Sequence, residues 1–338
     1  MSNAETLLVT GATGFVMSHV VRRWLEQYPD SMVLAIDAAA PDAHAERFFT
    51  GASDRMEFLQ ADILDPSLWN SLGRRADING IVHGATVTSI DRLVHENGRG
   101  RPGLSGARKS IDVNINGALN VLQFATELPK LRRMINVSSG SVYASEGPEP
   151  LPEDGFVAPN GIYAVTKHVG ELFTDYAARH LDLPAVSVRL SGVFGPMDRE
   201  TPGRDVRSAP RVIAELGLKK EPVRVRSLEA AGDFVHAGDV AVAIIALLNA
   251  KSLRYPAYNI AAGELKTIGD LIQAFKRSVP SLRCDEVKDD GPVDLDQDPR
   301  LKHGRFGAYD VSKIRDDTGW IPRSLEDGVD DYVAWLRG

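Results

Sequence analysis

The chain has 338 residues, of which 43% are hydrophobic and 25% charged, and its formal net charge at pH 7 is -7. This composition predicts a soluble globular protein with one large core or two smaller ones, and the negative charge gives no long-range attraction for nucleic-acid phosphates. The sequence has neither a membrane-length apolar run nor a leader-like start, so we expect a cytoplasmic protein that binds no membrane. The single cysteine, Cys284, excludes an internal disulfide and a thiolate metal cage, and we predict no metal site.

Short aliphatic and β-branched runs alternate with helical patterns from Leu7 onward. The strand-like runs are LLVT, MVLAID, MEFLQAD, GIVHGA, RMINVSS and AVSVRLS. Segments between them, such as 112–127 and 161–180, carry apolar residues at three- and four-residue spacing, which is typical of amphipathic helices. This alternation predicts an α/β fold of the Rossmann type, with a doubly wound parallel sheet.

After Pro196 the pattern loosens, and it then resumes in a more mixed form. The later elements are a strand-like PVRVRS, a helix at 238–250, the run AYNIAA, and helices near 267–278 and 325–336. We expect a dinucleotide-binding domain over 1–190 and a smaller C-terminal α/β lobe, mainly for substrate, over 191–338. Some segments of that lobe should return to the first domain.

The stretch TGATGFVMSHV, residues 10–20, follows the first predicted strand and opens the first helix, where a dinucleotide-binding fingerprint belongs. Gly11 would permit a tight turn, and Gly14 would let the backbone approach a pyrophosphate at the helix N-terminus. Met17 stands where a third glycine normally allows close helix–strand packing, so we expect a slight shift of the helix. An ordinary βα turn is the alternative. The residues predicted to contact the cofactor here are Gly11, Thr13, Gly14, Phe15 and Val16.

Two further acidic residues follow predicted strands and extend the candidate cofactor site. Asp37 ends the second strand, where a carboxylate can accept hydrogen bonds from an adenosine ribose and repels a 2'-phosphate, which favours NAD over NADP. Arg47 nearby keeps NADP as a minor alternative. Asp62, followed by Ile63, comes after the third strand and could hold the adenine amino group. Both aspartates could instead only cap turns.

Tyr163 and Lys167 lie four residues apart on a predicted helix and therefore share one face. An ammonium about 4 Å from a phenol contributes roughly 4 kcal/mol at an effective dielectric near 20, which lowers the phenol pKa by about three units. The pair therefore predicts a tyrosine that can act as a general base near neutral pH. For the pair alone, an exposed lysine and a half-buried tyrosine on an amphipathic helix would be the simpler interpretation.

Over nearly its whole length the chain resembles the extended short-chain dehydrogenases/reductases of the NAD-dependent epimerase/dehydratase family. The segments that carry the resemblance are TGATGF, VHGAT, DVNINGALNVL, VSSGSVYA, YAVTKHVGE, VRLSGVFGP, DFVHAGDVA and the C-terminal YDVSKIRDDTGWIP...SLEDGVDDYVAWL. The resemblance implies NAD as cofactor, hydride transfer, and a catalytic triad of Ser139, Tyr163 and Lys167. Ser139 would bind the substrate oxygen, Tyr163 would exchange the hydroxyl proton, and Lys167 would bind the nicotinamide ribose.

The resemblance also implies a structural asparagine near the cofactor, at Asn114, although a buried amide that bonds to a helix is an equally good account. It further implies a homodimer formed through the helices at 112–127 and 161–180. Thr86, Thr88 and Ser89 follow the fourth strand at the carboxyl edge of the sheet. With Ser141 they are candidates for binding substrate hydroxyls, although the first three could equally cap the next helix.

Several positions depart from the family pattern and bear on the substrate. Gly140 and Ser141 replace the acidic residues with which dehydratases of the family eliminate water, so dehydration is disfavoured. Gly192 and Gly232 stand where members that bind nucleotide diphosphates carry Asn and Arg, and the pair at 289–290, Asp289 and Asp290, replaces a later Arg. We therefore expect a substrate without a nucleotide handle.

Basic residues could bind a carboxylate or phosphate on such a substrate, or could simply form solvated loops. They are Arg99, Arg101, Arg108, Lys109 and those of PRLKHGR, residues 299–305. We predict an NAD-dependent oxidoreductase acting on a secondary hydroxyl of a small carbohydrate or sugar acid. The alternatives are a nucleotide-sugar 4-epimerase with tightly bound NAD and a non-catalytic NAD-binding sensor. The intact Tyr163 and Lys167 argue against a sensor.

Overall fold

A computed structural model of the chain describes residues 5–73, 75–88, 107–143, 149–204, 207–288, 291–296 and 308–338. Its centre is a seven-stranded sheet in which all neighbouring strands run parallel. The strands are β1 (Thr6–Thr10), β2 (Met32–Asp37), β3 (Met56–Gln60), β4 (Ile78–His83), β5 (Arg133–Ser139), β6 (Ala185–Leu190) and β11 (Ala257–Ile260). Their order is β11-β6-β5-β4-β1-β2-β3. This order confirms the predicted doubly wound α/β fold, and it reverses at β1, where such folds bind ligands.

Helices cover both faces of the sheet. In the first part of the chain they are α1 (Phe15–Gln27), α2 (Ala43–Phe48), α3 (Pro66–Leu72), α4 (Ala107–Ile111), α5 (Gly117–Glu127) and α6 (Ile162–His180). Side chains alternate between the faces along β1, as a pleated strand requires. Leu7 and Val9 join an apolar cluster with Trp24 of α1. Leu8 joins a second cluster on the opposite face, together with Phe124 of α5.

The later part of the chain builds a third apolar cluster beside the sheet. Its helices are α7 (Ala209–Leu218), α9 (Ile268–Ser278) and α11 (Leu325–Arg337), whereas α10 (Ser312–Thr318) packs into the first cluster through Ile314. Short strands pair as β7 (Gly192–Phe194) with β10 (Phe234–His236), β8 (Val223–Val225) with β13 (Cys284–Glu286), and β9 (Ala231–Gly232) with β12 (Lys266–Thr267). By contrast, α8 (Ala237–Asn249) packs on α1 and β11 joins the central sheet, although both follow residue 190.

Two local differences from the predicted elements have clear causes. The helix predicted over 112–127 is α-helical only from Gly117, because Asp112–Asn116 form a π-helical turn. The structure also adds α7, which begins at the Ser208 cap directly after the irregular stretch and was not predicted. No helix in the described ranges combines the length and apolar character needed to cross a membrane.

Met17 is accommodated by a glycine on the neighbouring strand end. Its side chain is 3% exposed. A Cβ placed on Gly84, just after β4, would lie 2.3 Å from Cγ of Met17 and 2.4 Å from its Sδ. In the usual fingerprint, a glycine on the helix allows close packing against the strand. Here Gly84 at the strand end leaves room for Met17 on the helix, so the large and the small residue are exchanged across the helix–strand contact.

We predict that Gly84→Ala lowers the free energy of unfolding by about 1–3 kcal/mol, because the added methyl group overpacks the Met17 side chain. Met17→Ala in the same chain should recover part of this loss, and chemical denaturation of both single variants and the double variant would measure the coupling. Gly170→Ala is the matched control, since a Cβ there would meet its nearest atom at an ordinary 3.6 Å. Strictly additive effects at positions 17 and 84 would contradict the exchange.

Candidate functional site

The loop between β1 and α1 has the conformation of a phosphate-binding turn. Gly11 has a φ of 71°, and a Cβ there would lie 2.9 Å from the backbone of Ala85, so the position requires glycine. Gly14 is the N-cap of α1, and no side chain in the described part of the chain caps this helix. The first amides of α1 are therefore left for another acceptor, as in helix N-termini that bind phosphate.

Asp37 is held by the same loop. Its Oδ2 accepts hydrogen bonds from the backbone N of Thr13 at 3.0 Å and from the Thr13 hydroxyl at 2.8 Å, and its Oδ1 accepts one from Ala39 N at 3.1 Å. A carboxylate offers about four acceptor positions, so roughly one remains for a ribose hydroxyl. Arg47 does not lie at this carboxylate but over the ring of Trp335, 5.5 Å from its centroid. These contacts fit a dinucleotide of the NAD type.

Asp62 and Ile63 follow β3 at the same edge of the sheet, because the backbone of Ala61 is hydrogen-bonded to the carbonyl of Asp37 at 2.9 Å. Asp62 is exposed, and its Oδ1 accepts from Leu64 N at 2.9 Å, which is the turn-capping contact. Its other oxygen has no hydrogen bond to the described residues. Ile63 is buried beneath α5.

The structure brings the three residues of the predicted triad together at the carboxyl end of β5. Ser139 is the last residue of that strand, and its Oγ accepts from Ser141 N at 3.2 Å. Tyr163 lies in the first turn of α6, close enough to Ser139 for the Ser139 hydroxyl to favour the phenolate form of Tyr163. One turn later, Nζ of Lys167 lies 5.9 Å from the centroid of the Tyr163 ring and donates to the carbonyl of Val137 at 2.8 Å.

The electrostatics of this group differ from the expectation based on spacing alone. Burial raises the pKa of Tyr163 above its ordinary value, against the opposing effects of the neighbouring Ser139 hydroxyl and the charge of Arg204. Burial also lowers the pKa of Lys167 to about 8, against the opposing charge of Glu171. The predicted lowering of the phenol pKa is therefore not observed, because desolvation outweighs the nearby charges and the Lys167 ammonium bonds to a carbonyl instead.

Asn114 connects the end of β4 to the helix that carries Tyr163. Its Oδ1 accepts from the hydroxyl of Thr86 at 3.0 Å and from Val87 N at 2.8 Å. Its Nδ2 donates to the carbonyl of Val87 at 3.1 Å and to Thr166 Oγ1, in α6, at 3.0 Å. All its polar capacity is used inside the protein, so it has the structural role that the resemblance implied, and the π-helical turn at 112–116 positions it.

The other predicted hydroxyl groups divide into bound and free ones. The Thr86 proton goes to Asn114, and both N and Oγ1 of Thr88 donate to the carbonyl of Gly203, at 2.9 and 3.1 Å. Ser141 Oγ is buried without a hydrogen-bond partner among the described residues.

Arg108 and Lys109 are exposed on α4. Predictions that lie outside the described residues concern Ser89, Arg99, Arg101, Asp289, Asp290 and 299–305.

The two glycines that distinguish this site are required by their neighbours. A Cβ on Gly140 would lie 2.2 Å from the phenol oxygen of Tyr309, whose side chain is buried. An acidic side chain at residue 140 would therefore displace Tyr309. A Cβ on Gly192 would lie 2.8 Å from the carbonyl of Asp233, so that an asparagine there would also need a backbone shift.

Two arginines at the site were not predicted from the sequence. Arg199 forms two hydrogen bonds to the carboxylate of Asp42, at 2.6 and 2.9 Å, and donates to the carbonyl of Thr13 in the dinucleotide loop at 3.1 Å. Arg204 lies over the ring of Phe15, 5.3 Å from its centroid. Both belong to the stretch after Pro196 that has no helical or strand periodicity, so no sequence pattern indicated their placement.

Comparisons with known proteins show the family and the fold of the chain. A model of the NAD dependent epimerase/dehydratase family matches residues 7–261. A putative UDP-glucose 4-epimerase of Methanocaldococcus jannaschii is 24% identical over 98% of both chains, and human dTDP-D-glucose 4,6-dehydratase is 26% identical over 99% of this chain and 90% of its own. Two solved structures share the fold: UDP-glucose 4-epimerase from Thermotoga maritima with UDP-glucose (TM-score 0.79, 23% identity, 98% of both chains), and UDP-glucuronic acid 4-epimerase from Bacillus cereus with NAD (TM-score 0.77, 23% identity, 98% of both chains).

His83 is a buried neutral base beside the triad. It ends β4, is 3% exposed, and shares a 2.8 Å hydrogen bond with the Thr10 hydroxyl. Burial, with a smaller effect of the Lys167 charge, lowers its pKa from 6.5 to about 3. Because the unfolded chain binds a proton that the folded chain does not, the stabilisation is complete above pH 6.5 and is lost as the pH falls toward 3.

We therefore predict that the free energy of unfolding decreases by about 1 kcal/mol more in the wild type than in His83→Gln between pH 6.5 and 5.5. Urea denaturation at the two pH values would measure this difference. His180→Gln, at an exposed position of α6, should retain the wild-type pH dependence. Identical pH dependence in the wild type and His83→Gln would show that His83 is not buried as a neutral ring.

Proposed function

The chain belongs to the NAD dependent epimerase/dehydratase family of enzymes, and from this premise we propose that it oxidises and reduces a secondary hydroxyl of a sugar through Ser139, Tyr163 and Lys167. The observation that carries the proposal is the placement of Ser139, at the end of β5, beside Tyr163, with Lys167 one helical turn later and its Nζ 5.9 Å from the Tyr163 ring centroid. These groups lie at the same edge of the sheet as the dinucleotide loop, which is where parallel sheets bind ligands.

NAD, when bound, supplies the acceptor for the hydride that leaves the substrate carbon. Gly11, Thr13, Gly14, Phe15 and Val16 would hold its pyrophosphate, and Asp37, with Asp62 and Ile63, its adenosine portion. Lys167 uses one of its three N–H donors on Val137, which leaves two for a ribose hydroxyl.

In our proposal Tyr163 accepts the proton of the substrate hydroxyl as a phenolate and returns it as a phenol. Burial alone disfavours the phenolate. The Ser139 hydroxyl and the positive charge of Arg204 act in the opposite direction, since both interact more favourably with the anion than with the neutral phenol. Ser139 therefore has two roles in this mechanism: it orients the substrate oxygen and stabilises the base.

A nucleotide-linked sugar is the first candidate substrate, because the relatives and solved structures described above are named for such substrates. A nucleotide-linked sugar therefore replaces the sugar without a nucleotide as the preferred substrate. A free sugar acid remains the second candidate, since Gly192 and Gly232 offer no side chain to a diphosphate. Of the reactions in those names, 4-epimerisation is favoured over dehydration, because Tyr309 fills the space of an acid at Gly140.

We predict that the purified protein with NAD converts a UDP-hexose or UDP-uronic acid into its 4-epimer without net NADH. Anion-exchange chromatography of the products and absorbance of NADH would be followed together, with the free sugars and sugar acids assayed in parallel. Net NADH with a sugar acid would support the second candidate. Absence of both products across the panel would contradict the proposed chemistry.

Tyr163→Phe tests the residue assignment within the same assay, because it removes only the proton-transferring oxygen. Turnover should fall about 10²- to 10⁴-fold while NAD binding persists. Tyr255→Phe is the matched control, at a half-buried position just before β11. Near-normal turnover in Tyr163→Phe would remove Tyr163 from the proposed chemistry.

We also propose that the protein forms a homodimer through α5 and α6. Large apolar side chains are exposed along these helices: Leu119 is 38% exposed, Val165 43%, Leu172 54% and Tyr176 56%. The last three are spaced seven and four residues apart and thus form one stripe on α6. Burial of such a stripe against its symmetric copy would remove it from water.

We predict that the protein in solution has twice the 36.7 kDa chain mass and that Leu172→Glu converts it to the monomer. Size-exclusion chromatography with light scattering would give both masses. Ile321→Glu, at a side chain that is 73% exposed outside both helices, should leave the mass unchanged. A monomeric wild type at micromolar concentration would contradict this interface.

A further inference from the structure

Arg204 is held by a tight turn that packs against the end of β4. The backbones of Thr201 and Arg204 exchange two hydrogen bonds, at 2.8 and 3.0 Å. The carbonyl of Gly203, inside this turn, accepts both donors of Thr88. A Cβ on Gly203 would lie 3.2 Å from the carbonyl of Thr86, so the turn is in close contact with the strand end. Through Asn114, the same strand end is hydrogen-bonded to the helix of Tyr163.

The guanidinium of Arg204 consequently lies between the dinucleotide loop and the triad. It is 5.3 Å from the ring centroid of Phe15, the first residue of α1. Its charge also reaches the phenol of Tyr163 and lowers its pKa, against the larger effect of burial. A cation in this position is close enough to influence both a bound cofactor and the substrate atoms next to the base.

The hydrogen-bonding capacity of this guanidinium is only partly used. Nη2 donates to Asp198 Oδ1 at 3.1 Å, and the Asp198 carboxylate is fully buried and also accepts from the Ser208 hydroxyl at 2.6 Å. Nε of Arg204 is buried with no acceptor among the described residues. The side chain as a whole is 23% exposed. A guanidinium has five N–H donors, and this one forms a single hydrogen bond to the described residues, so the N–H groups on its exposed side are left for an acceptor on a ligand.

We propose that Arg204 is a specificity-determining residue that binds a carboxylate on the substrate sugar and so selects a sugar acid over the neutral sugar. The inference rests on the proposed function, in which the substrate lies beside Tyr163. A planar carboxylate matches the fork of a guanidinium, and the Asp198 pair fixes its orientation. The cofactor pyrophosphate is the other source of anionic oxygen, but the uncapped amides of α1 are available for it.

The test compares UDP-glucuronic acid with UDP-glucose, and glucuronic acid with glucose, as substrates and as ligands of the NAD-loaded protein. Wild type should prefer the acid in kcat/KM and in calorimetric Kd. Arg204→Gln should reduce the acid-to-neutral ratio about 10- to 100-fold, which is the range of a hydrogen bond to a charged group. Arg204→Lys keeps a positive charge beside the buried Asp198, so this variant should fold even if Arg204→Gln does not. It should retain part of the acid-to-neutral ratio. Arg207→Gln, whose arginine pairs with Glu215 nearby, should retain the full ratio.

Two results would overturn the proposal. One is a wild type that binds the acid and the neutral sugar equally. The other is an Arg204→Gln variant that weakens NAD binding but leaves the ratio intact, because the arginine would then serve the cofactor. The calorimetric ratio needs no turnover, so it decides the role of Arg204 even if the panel yields no product and the proposed function fails.

Discussion

The parallel register of the central sheet is the constraint on which the site depends. Since every strand of the sheet runs in the same direction, β1, β2, β4 and β5 all end at one edge. These strand ends carry, in order, the dinucleotide loop, Asp37, the Thr86–Thr88 segment and Ser139. None of them is close to the others in sequence, and only the sheet brings them together. The reversal of strand order at β1 leaves the crevice between the βα loops that a dinucleotide occupies in such folds.

Buried polar contacts then hold the loops and helices around the sheet in position. Asn114 ties the end of β4 to α6, and Arg199 ties the stretch after Pro196 to Asp42 and the dinucleotide loop. Deeper in the protein, Arg189 of β6 forms a bidentate ion pair with Glu171 of α6, with Nε–Oε1 at 2.8 Å and Nη2–Oε2 at 2.9 Å. A buried pair of this kind adds little net stability, because desolvation offsets the attraction, but losing one partner leaves a buried charge. Such contacts define one position for the helix that bears Tyr163.

The periodicity of the sequence was sufficient for the sheet, the main helices and the fingerprint loop, because these follow from local patterns of two and 3.6 residues. The four-residue spacing of Tyr163 and Lys167 likewise anticipated their shared helix face. The features that could not be predicted from the sequence depend on contacts between distant segments. Gly84 opposite Met17 is one example, and Arg204 beside Phe15 is another. The pKa of Tyr163 differed from expectation for the same reason, since the spacing reveals a neighbouring charge but not the depth of burial.

The contact between Gly140 and Tyr309 constrains how this enzyme could change its chemistry in evolution. An acid at residue 140 would meet the Tyr309 phenol before it could meet a substrate. A smaller residue at 309 alone would open a cavity behind the triad, which also lowers stability. Neither single replacement is neutral, so a path toward water elimination needs both together. The two positions are separated by half of the chain. Because the effect of each replacement depends on the other, this pair would restrict the protein to the reactions that its present pocket supports.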